Sequence, residues 1–286
     1  MQVGTGLPST IPWAEGRQVI DWARAADASG FSSLGVIDRL VYSNDESLAT
    51  LAAAAGVTER VKLVTSVLLA PLRANAALLA KQAATIDHLS GGRLVLGLGV
   101  GGREDDFQAS GVPFARRGRR FDAMLDELRR IWAGEPRGFA GAVGPTPPPG
   151  RPPLLIGGQS DVAFERAAKH GDGWIAGGGG ADMFGQAAQK ARAAWTAQGR
   201  DGTPRLMALN YFALGPDARE HAQRYLSDYY AFTGPWAERI AAGALTDEQA
   251  VRDALGQFEE AGCDELLLFP CNPDPAQVDA LAAAIA

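Results

Sequence analysis

The feature that most constrains this chain is a repeated pair: a short apolar run followed by a stretch with helical spacing. The runs fall at residues 3–7, 33–37, 61–69, 93–98, 154–156, 173–176, 206–214 and 265–269. They are rich in Val, Ile and Leu and nearly continuous, as strands of a parallel sheet read when both faces are buried. Between them, Phe121, Met124, Leu125, Leu128, Ile131 and Trp132 make one apolar helical stripe. Val19, Trp22, Ala23 and Ala26 do the same earlier, as do Leu79, Ala83 and Ile86. Glycine recurs at the helix-to-strand junctions, at Gly30, Gly56, Gly171 and Gly262, where a left-handed residue can close a helix. Strands and helices alternating in this way predict an α/β fold, a (β/α)8 TIM barrel spanning residues 1–286 as one domain. An open doubly wound sheet is the competitor, but no dinucleotide fingerprint follows the first strand. Two stretches exceed a minimal unit. Residues 134–153, with Pro145, Pro147, Pro148, Pro149, Pro152 and Pro153, predict a stiff, extended insertion before strand five. Residues 231–246 predict an extra helix or lid after strand seven.

Charge and composition narrow the partners. Lys and Arg number 27 against 33 Asp and Glu, a net charge of −6, which argues against nucleic acid or an anionic membrane. The one basic run, Arg116-Arg117-Gly118-Arg119-Arg120, lacks interleaved aromatics and reads as a solvated helix start. Two cysteines, Cys263 and Cys271, are too few for a disulfide framework and suit a reducing compartment. No apolar run approaches the ~20 residues of a spanning helix. Met1-Gln2-Val3-Gly4 carries no basic leader start, so a cytoplasmic location is expected. No histidine–carboxylate group has metal-ligand spacing, so no metal is expected.

The 35 glycines exceed the usual ~7% share, and their placement is informative. Strand four ends in Gly97-Leu98-Gly99-Val100-Gly101-Gly102. Strand five ends in Gly157-Gly158-Gln159-Ser160, ahead of a helix that Ser160 or Asp161 can cap. Strand six ends in Gly177-Gly178-Gly179-Gly180. Barrel chemistry sits at the carboxyl ends of strands. There, glycine lets backbone approach a ligand, and a helix start binds phosphate. These loops are either a cradle for a phosphorylated cofactor or simply tight turns.

The stretch from Pro71-Leu72-Arg73 through Leu79-Ala80-Lys81-Gln82-Ala83-Ala84-Thr85-Ile86-Asp87-His88-Leu89-Ser90-Gly91-Gly92-Arg93-Leu94-Val95-Leu96-Gly97-Leu98-Gly99 resembles the signature of the bacterial luciferase-like monooxygenase superfamily. So do Pro153-Leu154-Leu155-Ile156-Gly157-Gly158 and Arg166-Ala167-Ala168-Lys169-His170-Gly171-Asp172-Gly173-Trp174. The resemblance implies a barrel that binds FMN, or the deazaflavin coenzyme F420, at its carboxyl end. It implies a tricyclic ring near Asp38, Ser66 and Gly99, flanked by Val67, Val100 and Gly101, with a non-prolyl cis peptide at Ser66–Val67. The phosphate would lie on Gly157, Gly158, Gln159 and Ser160, with Gly177, Gly178 and Gly179 alongside. This chain departs from luciferase itself. Asp38-Arg39 stands where luciferase has an acidic residue and a catalytic histidine. Gly99 and Val100 replace a cysteine and a phosphate-binding arginine.

The resemblance implies an oxidoreductase. One version is a monooxygenase that uses reduced FMN from a separate reductase, with oxygen, on a small organic substrate. The alternative is F420-dependent hydride transfer. A flavin-binding protein without catalysis is the alternative of another class, and a flavin-free phosphosugar barrel would need a strand-end Lys or Glu that is not evident. A homodimer is implied through helices early in the barrel. Arg39 is the catalytic candidate. It contacts an anionic group, or else pairs with Asp38 or Asp45. Arg103, Glu104, Asp105, Trp13, Tyr42, Arg73, Asn210 and Tyr211 are further candidates by position near strand ends, and Cys271 by following strand eight. His88 and His170 read as structural on the opposite face, with a charge on His170 favouring its helix dipole. His221 is expected on an exposed helix, and Cys263 in the core.

Overall fold

The computed structural model describes residues 1–146 and 150–286. Nine parallel strands form one sheet: β1 Gln2–Gly6, β2 Ser33–Val36, β3 Lys62–Thr65, β4 Leu68–Leu69, β5 Leu94–Gly99, β6 Leu154–Gly157, β7 Gly173–Ile175, β8 Arg205–Phe212 and β9 Glu265–Pro270. The order runs β3-β2-β1-β9-β8-β7-β6-β5-β4, and β3 also pairs β5 with Val64 opposite Val95. That pairing closes the cylinder: the fold is a (β/α)8 barrel. The predicted third strand is divided in two. Its peptide bond between Ser66 and Val67 is cis, and the short β4 beyond it pairs the end of β5.

Both faces of the strands are buried, which is why their sequences do not alternate. Along β8, Met207, Leu209 and Tyr211 point into the barrel beside Val64, Val95, Leu155, Ile175 and Leu267. Leu206, Ala208 and Phe212 point outward to the helices. The outer layer contains α1 Gly16–Ala28, α2 Ser47–Ala55, α3 Ala76–Leu89, α5 Arg117–Trp132, α6 Asp161–His170, α7 Ala181–Ala197, α10 Glu248–Glu260 and α11 Ala276–Ile285. The predicted stripes on α1, α3 and α5 are the buried ones. The short helix α4, Glu104–Ala109, follows β5.

Three expectations change. The extra segment after strand seven is larger than residues 231–246. Both α8, Ala218–Tyr229, and α9, Trp236–Ala242, belong to it, because α8 buries Tyr225 and Tyr229 against the barrel interior. The outer helix of that unit is α10, which packs against α7 and α11. Residues 134–146 are not extended: the chain turns back, with Pro136 bridged antiparallel to Ala142 and Arg137 N donating to Gly141 O at 2.7 Å. Pro147, Pro148 and Pro149 lie outside the described residues. Of the junction glycines, Gly30 and Gly262 are left-handed, but Gly56 and Gly171 are not. Gly171 is required by crowding, since a Cβ there would sit 3.0 Å from the carbonyl oxygens of Ala167, Leu154 and Gly173.

Candidate functional site

Because every strand is parallel, all carboxyl ends share one rim. Asp38, Ser66, Val67, Gly99, Val100, Gly101, the stretch Gly157 to Ser160, and Gly177 to Gly179 all lie on it or just beyond it. The loops interlock around Val67. A Cβ on Gly99 would lie 2.6 Å from one Val67 methyl, and a Cβ on Gly157 2.8 Å from the other. These two glycines therefore make room for a side chain of the protein itself. Gly177 and Gly102 differ, with nothing within 4 Å of a Cβ there. Gly158 and Gly179 have φ of +125° and +150°, which a side chain would strain.

Asp38 is buried and saturated. Its Oδ1 accepts from Ser47 Oγ at 3.0 Å and Arg73 Nη2 at 3.1 Å; its Oδ2 accepts from Leu69 N at 2.8 Å and from Arg73 Nη1. Arg73 also reaches Glu46 at 3.0 Å. This cluster ties the end of β2 to the turn after β4. Asp38 does not orient Arg39, and no Arg39 pair with Asp38 or Asp45 forms. The Arg39 guanidinium instead lies over Tyr42 at 4.4 Å, Tyr229 at 4.9 Å and Phe232 at 5.6 Å, and donates to Tyr229 O at 2.7 Å. Its other terminal nitrogen donates to Val41 O at 3.1 Å, and stacking on aromatic faces with hydrogen bonds at the edge suits a planar guanidinium. Arg39 thus joins the loop after β2 to the α8–α9 segment. Arg103, after β5, also reaches that segment, lying 4.3 Å over Phe232 while pairing with Asp105.

Tyrosines gather in the barrel's interior cluster, with Tyr230 packed against it. Tyr211 and Tyr230 share a 2.6 Å hydrogen bond, and Tyr225 shares one of 2.6 Å with Thr10. Burial pushes the Tyr230 phenol up to about 12, and Tyr211, Tyr225 and Tyr229 well above their ordinary value, so all stay neutral. The Tyr230 hydroxyl stands 4.0 Å from where a Cβ of Gly178 would be. Trp13 packs edge-on against Tyr225, and Tyr42 donates to Asp228 at 2.5 Å. Asn210 is half-buried and bonds its neighbour's N–H. Cys271 is buried in the same interior cluster, and Cys263 is buried near Leu206. Sequence reasoning missed Tyr225, Tyr229, Tyr230, Phe232 and Asp106. The i, i+4 tyrosine spacing was a usable signal; the position of Asp106 was not. Asp106 is fully buried and receives Leu40 N and Val41 N at 3.1 and 2.7 Å.

His88 and His170 lie away from this rim, at the ends of α3 and α6. Burial, with the Arg129 guanidinium beside it, pushes the His170 imidazole below its ordinary value, so the helix-dipole argument for a charge there fails. His221 is half-buried on α8.

Several polar groups at the rim remain open. Ser66 Oγ is buried and has no hydrogen-bond partner among the described residues. Ser160 caps α6 by accepting from Ala163 N at 3.3 Å, which leaves its hydroxyl proton to donate. The Gln159 amide touches only the Met183 sulfur, at 3.8 Å, among the described residues. A buried orphan hydroxyl is uncommon unless something else completes it. Together with open backbone at Gly177, these groups fit a ring on Ser66 and an anion at Ser160.

The profile of the luciferase-like monooxygenases matches residues 1–278. The chain belongs to this family. Among curated relatives, an F420-dependent glucose-6-phosphate dehydrogenase of Nocardia farcinica is 31% identical over 56% of this chain and 52% of its own. An FMNH2-dependent dimethylsulfone monooxygenase of Pseudomonas putida is 28% identical over 75% of this chain and 63% of its own. The chain spans about two thirds or less of the length of the curated relatives it matches. A solved monooxygenase, RslO1 of Streptomyces bottropensis, superimposes with a TM-score of 0.81 at 22% identity, covering 100% of this chain and 98% of its own, which shows the shared barrel. The luciferase-like family thus contains both FMN- and F420-dependent oxidoreductases. No helix among the described residues is long and apolar enough to cross a membrane.

Proposed function

We propose that this chain is an oxidoreductase that binds a phosphorylated tricyclic cofactor, reduced FMN or F420, at the barrel mouth and acts on a small organic substrate. The observation that carries this reading is the unpartnered, buried Ser66 hydroxyl on the same rim as the open backbone at Gly177. Ser66 bonds the ring edge, Val67 supports its face, and Ser160, Gln159 and the first N–H groups of α6 take the phosphate. When bound, the cofactor supplies the two-electron chemistry: with FMN and oxygen an oxygenation, with F420 a hydride transfer. The protein's part is to hold that ring, shelter it under α8–α9 and present neutral phenols. Tyr211 and Tyr230 hold a proton between them that a substrate oxygen can share. Arg39 serves as a latch on the lid and is not the acid or base. A homodimer, and a separate reductase for the FMN version, belong to the same reading.

Titration of the apo-protein with FMN and F420, each oxidised and reduced, tests it by fluorescence quenching. Micromolar or tighter binding of one of them is expected, weakened by about tenfold in Ser66→Ala, the worth of one hydrogen bond of about 1.4 kcal/mol. Binding of neither overturns the reading.

A further inference from the structure

The chain leaves the barrel after β8 and returns before α10, and both crossings are fixed. Leu245 pairs with the end of β8: Leu245 N donates to Tyr211 O at 2.9 Å, and Ala213 N donates to Leu245 O at 3.0 Å. On the departing side a single amide holds both backbone groups of Leu214. Gln277 Oε1 accepts from Leu214 N and Gln277 Nε2 donates to Leu214 O, each at 2.8 Å. The next residue, Gly215, has φ of +98° and open space beside it. Residues 215–244 therefore form a lobe on a fixed stem, and its two helices, α8 and α9, pack on each other. The lobe stoppers the barrel, with Tyr225 and Tyr229 buried in the interior cluster.

Away from the stem, the lobe is fastened at one ring. Phe232 is 54% exposed, so little packing holds it. Two guanidiniums from separate loops lie over it, Arg103 at 4.3 Å and Arg39 at 5.6 Å, each attracted by the ring face. One buried carboxylate sets both. Asp106 Oδ1 accepts from Leu40 N and Val41 N, which fixes the loop that carries Arg39. Asp106 Oδ2 faces Arg103 Nε at 3.5 Å, and neither atom has a hydrogen-bond partner among the described residues. A buried carboxylate is costly without its counter-charge, so the pair keeps Arg103 in place. Hydroxyl bonds also cross to the lobe, from Tyr225 to Thr10 and from Tyr230 to Tyr211. Water can replace those on opening. The ring gripped by two cations is the contact that opening loses outright.

We infer that Phe232 is the clasp of a lid, residues 215–244, that opens as one body about its stem. Asp106 is the positioning residue that presents both arginines to the clasp. It makes no hydrogen bond to the lobe among the described residues and acts through Arg39 and Arg103. Opening of this lid sets how fast any ligand reaches or leaves the rim.

Hydrogen exchange of the full chain, read by mass spectrometry over α8, α9 and α7, tests this. In wild type the slowest amides of α8 and α9 should share one protection factor. Phe232→Ala should lower it about tenfold in both helices, equivalent to about 1.4 kcal/mol, and leave α7 unchanged. Phe232→Leu keeps apolar bulk without a π face and should lose protection as Phe232→Ala does; Phe232→Trp should retain it. Asp106→Asn keeps an acceptor for Leu40 and Val41 but loses the charge facing Arg103, and should lower protection about threefold. In the Phe232→Ala background it should lower protection no further, whereas a merely structural carboxylate would act equally in both backgrounds. Thermal midpoints report folding, and Arg103→Gln supplies the same cycle from a residue outside the core. Unequal protection of α8 and α9, an unchanged lobe in Phe232→Ala, full protection in Phe232→Leu, or additive effects in the cycle each overturns the inference. Exchange is read without cofactor, so failure to bind FMN or F420 overturns the cofactor reading alone.

Discussion

Replacing Gly99 by alanine separates two reasons for glycine at the rim. The new methyl would lie 2.6 Å from a Val67 methyl, and one on Gly157 would lie 2.8 Å from the other. Carbon atoms rest at about 3.5–4.0 Å, so each substitution forces an overlap near 1 Å. Overpacking of this kind costs about 1–3 kcal/mol. Val67→Ala removes both methyls. By itself it loses packing from a half-buried side chain, costing about 1–2 kcal/mol. If the glycines exist to seat Val67, Gly99→Ala/Val67→Ala is more stable than the two single costs predict. The coupling should reach about 1 kcal/mol or more, within the range found for residues in contact. Urea denaturation followed by tryptophan fluorescence measures it, with thermal midpoints as a check at about 2–4 °C per kcal/mol. Gly177→Ala is the control: with nothing within 4 Å, it should leave stability near wild type and weaken cofactor binding. Strict additivity of the Gly99 and Gly157 cycles with Val67 would refute the packing argument.

Other expectations follow from the same contacts. Arg39→Ala should loosen residues 230–243, read as faster hydrogen exchange there; Arg39→Lys should not restore protection, because an ammonium cannot stack over Tyr42, Tyr229 and Phe232 as a plane. Unchanged exchange would show that Arg39 is not a latch. Burial pushes the Asp172 carboxyl up, but bonds from Arg151 at 2.6 and 2.7 Å and from Leu154 N outweigh it and hold the group below its ordinary value. Its stabilising contribution is therefore present above the unfolded carboxyl's pKa and lost as pH falls through the lower folded one. Arg151→Gln should raise that folded value and move the acid-unfolding midpoint to higher pH; an unmoved midpoint would count against the pair. Both thiols are buried, and Cys263 is pushed up to about 12, so neither should react with a disulfide reagent at neutral pH until the chain unfolds. Rapid labelling of native protein would contradict their placement.

The sequence by itself determined the barrel and the rim that carries its loops. Continuous apolar runs and helical stripes are local patterns, and their repetition admits few architectures. The Ser66–Val67 peptide was legible only through resemblance, since nothing in those two residues alone marks it. Tertiary structure decided the contents of the site. Asp38 and Arg39 are adjacent in sequence yet face different partners, Arg73 on one side and Tyr229 on the other. Gly99 and Gly157 read as open backbone until Val67, from a third strand end, proved to occupy the space beside them. The arginine run does start α5 with Arg116 and Arg119 exposed, as its sequence implied, but the neighbours Ser160 and Arg166 that meet it lie about 40 or more residues away. Periodicity records which face of an element is buried. It carries no information on which distant side chain arrives there, because that depends on closure of the cylinder and on the lid drawn across it.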